Sequence, residues 1–192
     1  MLPHITNSQA GRNKYEVLYK NIFEVQFTLP EALRAAFGQD EAILSEHVLS
    51  VEGLGALDKA PEANVQQKFM GTTRTYLAAG VDDTTAEITV KFSLNLRNGT
   101  DNFIYKLFKA WNKLGYDIAT GEKSLKTDYT AEFMRIVVGN RAGDVYREVI
   151  FKDIMINGPI EGMGETLDYG EAGNVLELTV KFKSDWWQEV NM

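Results

Sequence analysis

The sequence predicts a mainly β fold, a two-sheet antiparallel β-sandwich or barrel with one flanking α-helix. Three observations carry this. Apolar and polar residues alternate in several separate runs, segments rich in glycine, asparagine and aspartate divide those runs, and only one stretch has an unambiguous helical spacing of apolar residues. Alternation puts one face of a strand in a core and the other in water, so six or more such strands fit two packed layers or a closed barrel.

Taken in order, residues 1–20 are polar and unpatterned and read as an N-terminal arm, ordered only where a neighbour holds it. Residues 21–192 then form a single β domain. Phe23, Val25 and Phe27 alternate with Glu24, Gln26 and Thr28, which marks a first strand ended by Pro30. The run PEALRAAFG places proline at a first helical position and glycine at its close, the signature of a short helix. A second strand is expected near Ile43 to Glu52, and the loop GLGALDKAPEAN leaves it.

Val65 to Leu77 and Thr84 to Leu96 are expected to form one long hairpin around AAGVDD, at about residues 65–88 for the part that projects. Its first strand is polar, and its tip carries paired aspartates, so it is too polar to fill its own core. Lys68, Thr72, Arg74, Tyr76, Asp82 and Asp83 are the residues expected to meet whatever it projects onto. On the returning strand Ile88, Val90, Phe92 and Leu94 share one face, and Glu87, Thr89, Lys91 and Ser93 the other.

The helix is expected at about residues 101–114, with Thr100 or Asp101 as its cap. Ile104, Leu107, Phe108, Trp111 and Leu114 form its apolar stripe, and Gly115 stops it. Strands near Tyr129 to Val138 and Val145 to Ile156 flank the turn GNRAGD, and a last strand alternates Leu176, Leu178, Val180 and Phe182 with Glu177, Thr179, Lys181 and Lys183 before DWWQEV.

Composition narrows the function. The chain has 192 residues, no cysteine and only His4 and His47, which removes disulfides, thiolate metal sites and thiol nucleophiles and leaves little imidazole chemistry. The formal net charge of -7 argues against a surface that grips phosphates, while remaining compatible with one that repels DNA. No signal peptide or membrane-length apolar run is present, so a cytoplasmic product without membrane insertion is expected.

The chemical motifs fail on spacing and context. GYDIATGEKS lacks the spacing of a phosphate-binding loop and follows a helix instead of a strand. Gly162 and Gly164 have no third glycine and no βαβ unit, so they read as backbone bends. Asn98-Gly99-Thr100 reads as turn and helix cap. Glu161, Glu165 and Asp168 match no calcium loop and no acid–base set, and no nucleophile, base and orienter can be assembled. Catalytic, cofactor-binding and metal residues are therefore assigned to none.

The second half of the chain carries a resemblance. DNFIYKLFKAWNKLGYD, then TGEKSLKTDYTAEFMRIVVGNRAGDVYREVIFKDIMINGPI, then LDYGEAGNVLELTVKFKSDWWQEV, resemble the tail tube family of contractile phage tails, related to inner-tube proteins of contractile injection systems. The match spans about residues 100–190; FEVQF, VLSVEGLG and EITVKFSLNL agree in layout only. The resemblance implies a tail-tube-like sandwich whose copies form stacked hexameric rings around a channel for DNA or effector. It implies a non-enzymatic subunit of the virion tail tube, made in the host cytoplasm and using no cofactor. Its partners would be its own copies, the contractile sheath, and the baseplate and tail terminator proteins, with DNA passing without tight binding. Glu24, Glu87 and Glu177 are the expected channel-lining residues, each on the polar face of a patterned strand. A baseplate tube initiator and, from another class, a small-ligand-binding β-barrel are the alternatives.

Overall fold

The structure is a computed structural model and describes residues 21–38, 41–57, 64–69, 71–77, 85–96, 101–116, 120–140, 143–162 and 176–190. The strands are β1 (Phe23–Phe27), β2 (Val48–Glu52), β3 (Asn64–Phe69), β4 (Thr72–Leu77), β5 (Ala86–Ser93), β6 (Ala131–Gly139), β7 (Val145–Ile156) and β8 (Glu177–Glu189). The helices are α1 (Glu31–Phe37), α2 (Glu41–Glu46), α3 (Phe103–Gly115) and α4 (Lys126–Tyr129). Six strands make one antiparallel sheet in the order β1-β6-β7-β8-β5-β2, and β3 and β4 pair apart from it.

A single sheet becomes two layers because its central strands turn a corner together. Along β6 the alternation skips between Ala131 and Met134, along β7 between Phe151 and Ile154, and along β8 after Ser184. These positions lie level across the sheet, with Ala131 opposite Ile154 and Ile154 opposite Ser184. Two consecutive residues on each strand thus leave the core at one line, which folds the sheet over on itself. Asp153 sits on that line with φ 52°, the one positive-φ residue other than glycine among the described residues. Ser184, also on the line, is buried; its Oγ donates to the Lys152 carbonyl at 2.8 Å and accepts from Trp186 N–H at 3.2 Å.

Aromatic side chains fill the space between the layers. Phe27 of β1 meets Phe92 of β5 and Phe182 of β8, both with ring centroids 5.8 Å away. Helix α3 closes one side: Phe103, Ile104, Leu107, Phe108 and Trp111 are buried, and Phe108 lies 4.8 Å from Phe92. Lys106, Lys109 and Lys113 stay on the wet face, as the helical period requires. This is the mainly β fold with a flanking helix expected from the pattern.

Several local expectations change. The helix is capped by Asn102, whose side chain accepts from Tyr105 N–H at 3.3 Å, whereas Asp101 instead pairs with Lys106 at 2.6 Å. The stretch expected as strand from Ile43 is helical through Glu46; its glutamates, alanine and leucine favour a helix, and the Glu41 carboxylate accepts from Leu29 N–H at 2.9 Å. Residues 65–77 do not form one strand returning at AAGVDD. They fold back at Gly71, whose φ of 77° suits a tight turn, and β3 pairs with β4 from Asn64 opposite Leu77 to Phe69 opposite Thr72. Strand β5 pairs instead with β8 and β2. Helix α4, held by the Lys126–Asp185 ion pair, is an element the apolar pattern did not announce. DWWQEV extends β8 through Glu189.

Candidate assembly interface

Among the described residues, β3 and β4 pair with each other and join no strand of the six-stranded sheet. A two-stranded ribbon buries too little apolar surface to persist unsupported in water. Gln66, Gln67, Lys68, Thr72, Thr73 and Arg74 are exposed, and Lys68 stands opposite Thr73 and Gln67 opposite Arg74. Of the residues expected to contact a neighbour, Lys68, Thr72 and Arg74 are thus on this ribbon. Tyr76 belongs to β4, its side chain lying outside the described ones, and Asp82 and Asp83 lie outside the described residues.

Among the described residues the main sheet ends in two edge strands, β1 and β2. Edge strands carry rows of free backbone donors and acceptors, which favour pairing with another chain unless something covers them. Between the two edges runs an open groove of about 510 Å³. Its lining includes Phe23 and Val25 of β1, Ile136 and Val138 of β6 and Val51 of β2, with Asn21, Ser45 and Ser50 as polar members.

The outward face of β2, β5 and β8 is a lattice of opposite charges. Lys91 pairs with Glu52 at 3.4 Å, Lys181 with Glu161 at 2.8 Å, and Lys183 lies 4.0 Å from Glu87, opposite it in register. Asn157 Nδ2 also donates to the Glu87 carboxylate at 3.2 Å. The hydrogen bond to Glu161 raises the pKa of the Lys181 ammonium above its ordinary value. Glu177 is exposed at the start of β8 and makes no ion pair among the described residues.

The expected channel residues are therefore divided. Glu87 and Glu177 share the outward face of β5 and β8, at opposite ends of that pair and roughly 20 Å apart at strand rise. Glu24 belongs to the other layer, on β1, where Gln26 Nε2 donates to it at 2.8 Å. Beside it the Arg135 guanidinium donates to Glu148 at 2.6 Å, and this contact raises the arginine's pKa. The sequence pattern puts Lys91, Lys181 and Lys183 on polar faces, but their pairing with Glu52, Glu161 and Glu87 is not legible in it, because cross-strand pairing depends on register, which one strand's pattern does not reveal.

The weak chemical motifs find structural uses. Gly162 has φ 110°, and a Cβ there would lie 2.3 Å from the Glu177 carbonyl, so the close antiparallel bridge of Glu161 with Thr179 requires glycine. Gly164, Glu165 and Asp168 lie outside the described residues, as do Asn98, Gly99 and Thr100. Lys123 forms a bridge with Tyr116 and opens no helix. The ring of His47 rests 5.8 Å from that of Phe103. His4 lies outside the described residues. Among the described residues no group of three acidic or imidazole side chains could hold a metal ion, and no helix is long and apolar enough to cross a membrane.

An antiparallel sheet folded into two layers, capped by one helix and ending, among the described residues, in edge strands β1 and β2, with a separate two-stranded ribbon, defines a β-sandwich class. Solved structures share that fold. A chain of the tube-terminating cap of the anti-feeding prophage superposes with a TM-score of 0.56 at 10% identity, covering 93% of each chain. A chain of the extended PVC sheath–tube complex, from an extracellular contractile injection system, gives 0.55 at 12% identity, covering 98% of this chain and 100% of that one. The PVC sheath/tube terminator gives 0.53 at 11% identity over 92% and 99%. No protein-family model matches the chain, and no curated protein does.

Proposed function

We propose that this chain is a structural subunit of the tail tube of a contractile injection apparatus, assembling as hexameric rings that stack around a channel for DNA or protein cargo. The observation that carries the reading is the β3–β4 ribbon, whose described side chains are exposed and polar and which forms a sheet separate from a body whose fold recurs in tube-associated chains. A neighbouring ring supplies the surface that such a ribbon needs. The two open edges let each body meet its neighbours within a ring, and a head-to-tail contact of this kind closes when its rotation permits. The role requires no catalytic step. Sheath, baseplate and terminator proteins are the further partners, and the particle is the location.

A tube terminator is the second reading, favoured because two of the superposing structures are a tube-terminating cap and a terminator. A ligand-carrying barrel is disfavoured, because Phe27, Phe92, Phe108 and Phe182 occupy the space between the layers. Light scattering over a concentration series separates these readings. A tube subunit grows without a fixed upper mass, a terminator stops at one ring, and a carrier remains at the 21.6 kDa of one chain.

A further inference from the structure

We propose that the groove between β1 and β2 is the seat of an extended strand donated by the N-terminal segment of a second copy of this chain, with residues 15–19 as the inserting part. The groove calls for an occupant with backbone groups to offer. Both of its walls are sheet edges, so an extended segment laid there gains main-chain hydrogen bonds. Its floor asks for apolar side chains at alternate positions: Val25 and Ile136 are buried there, and Phe23, Val51 and Val138 are half-buried around them. Leu49 of the edge strand β2 and Tyr146 of β7 also line it and are 46% and 44% exposed, apolar surface that an inserted strand would cover. Five extended residues span about 17 Å at 3.3–3.4 Å of rise, matching the five-residue edge strands β1 and β2 that bound the groove.

The segment that precedes Asn21 in the sequence matches this demand. In KYEVLYK, Tyr15, Val17 and Tyr19 would fall on one side of an extended chain and Glu16, Leu18 and Lys20 on the other, so an inserted strand offers three large side chains to the groove although apolar Leu18 breaks a strict alternation. It adjoins Asn21, which itself lines the groove, and the pairing of β1 with β6 already reaches Ile22, whose carbonyl accepts from Gly139 N–H at 3.1 Å. To lie in its own groove the segment would have to reverse at once through Lys20 and Asn21, without the glycine that tight two-residue returns favour. In the proposed exchange it enters the groove of a second copy instead. Each copy then gives one strand and receives one, a heterologous exchange that propagates around a ring. The inference does not depend on the tube reading, since a terminator ring or a closed dimer could use the same exchange.

The absence of cysteine makes the test clean. Val17→Cys and Ser50→Cys are made as separate full-length variants, mixed, and oxidised. A disulfide-linked dimer of the two species is expected, and none when Glu87→Cys, on the outward face of the sheet, replaces Ser50→Cys. Failure to cross-link in the mixture overturns the exchange. So does closure within one chain in the Val17→Cys/Ser50→Cys double variant when the mixed single variants stay separate. As a second measurement, Val17→Asp should raise the concentration at which the chain self-associates by at least about tenfold with an unchanged circular dichroism spectrum, because a charge entering an apolar groove is strongly disfavoured. Ile5→Asp, outside the inserting part, should leave it unaltered; equal effects from both substitutions would also overturn the assignment.

Discussion

Trp111 Nε1 donates to the Tyr129 carbonyl at 2.8 Å while its ring packs 5.8 Å from Phe182, so one residue ties α3 both to α4 and to the interior of the sheet. Trp111 is 2% exposed. Replacing it with alanine should lower the unfolding free energy by about 3–5 kcal/mol through cavity formation. Phenylalanine should cost less, about 1–2 kcal/mol, mainly from leaving the Tyr129 carbonyl unpaired. Chemical denaturation of the variants checks both values; an unchanged midpoint for Trp111→Ala would show that the helix is not packed as described.

The corner of the sheet makes a separate prediction. Ser184→Ala removes the acceptor for Trp186 N–H and the donor to Lys152, and should cost about 1–2 kcal/mol. Asp153, at φ 52°, should tolerate glycine with a change within about 1 kcal/mol, whereas Asp153→Val should cost about 1–3 kcal/mol, since a β-branched side chain clashes in that conformation. Thermal unfolding of the three variants distinguishes a bend at this position from an ordinary strand, in which valine would be the better residue.

These two sites also show where the sequence is legible. The stripe from Ile104 to Trp111 and the alternation from Ile88 to Phe92 declare their buried faces, because amphipathic periodicity is a local property. The bend at Ser184 and Asp153 is not declared. It arises from three strands leaving the core at one level, and their register is a tertiary outcome. The hairpin departs from the expected one for a related reason: AAGVDD has stronger turn chemistry than MGT, yet β5, with Ile88, Val90 and Phe92 buried, pairs with β8 and β2 while β4 pairs with β3. In the same way Glu24, Glu87 and Glu177 look equivalent along their strands, but the folded sheet sends Glu24 to a different layer.

If β3–β4 bridges rings, replacing residues 64–77 by a short glycine–serine linker should leave the unfolding transition of the main body within about 1 kcal/mol, because distant sites without shared contacts act independently. The same variant should form rings without stacking them. Sedimentation velocity would then show one ring-sized species, and long filaments of normal appearance would contradict the bridging role.

If the outward face of β5 and β8 lines the channel, Glu87→Lys with Glu177→Lys should turn its near-balanced lattice basic and make assembled tubes retain DNA at low salt. Retention should fall steeply as salt rises, since binding would be driven by counterion release. Glu24→Lys, on the other layer, should have no such effect. Retention by the Glu24 variant alone would place the channel on the opposite layer.

The central claim is that copies of this chain close into rings and stack as a hollow tube, and electron microscopy of the purified full-length protein tests it most directly. The expected images are filaments with a stain-filled central channel, whose end-on averages show six-fold symmetry. Isolated particles of single-chain size at every concentration, with neither rings nor filaments, would contradict it.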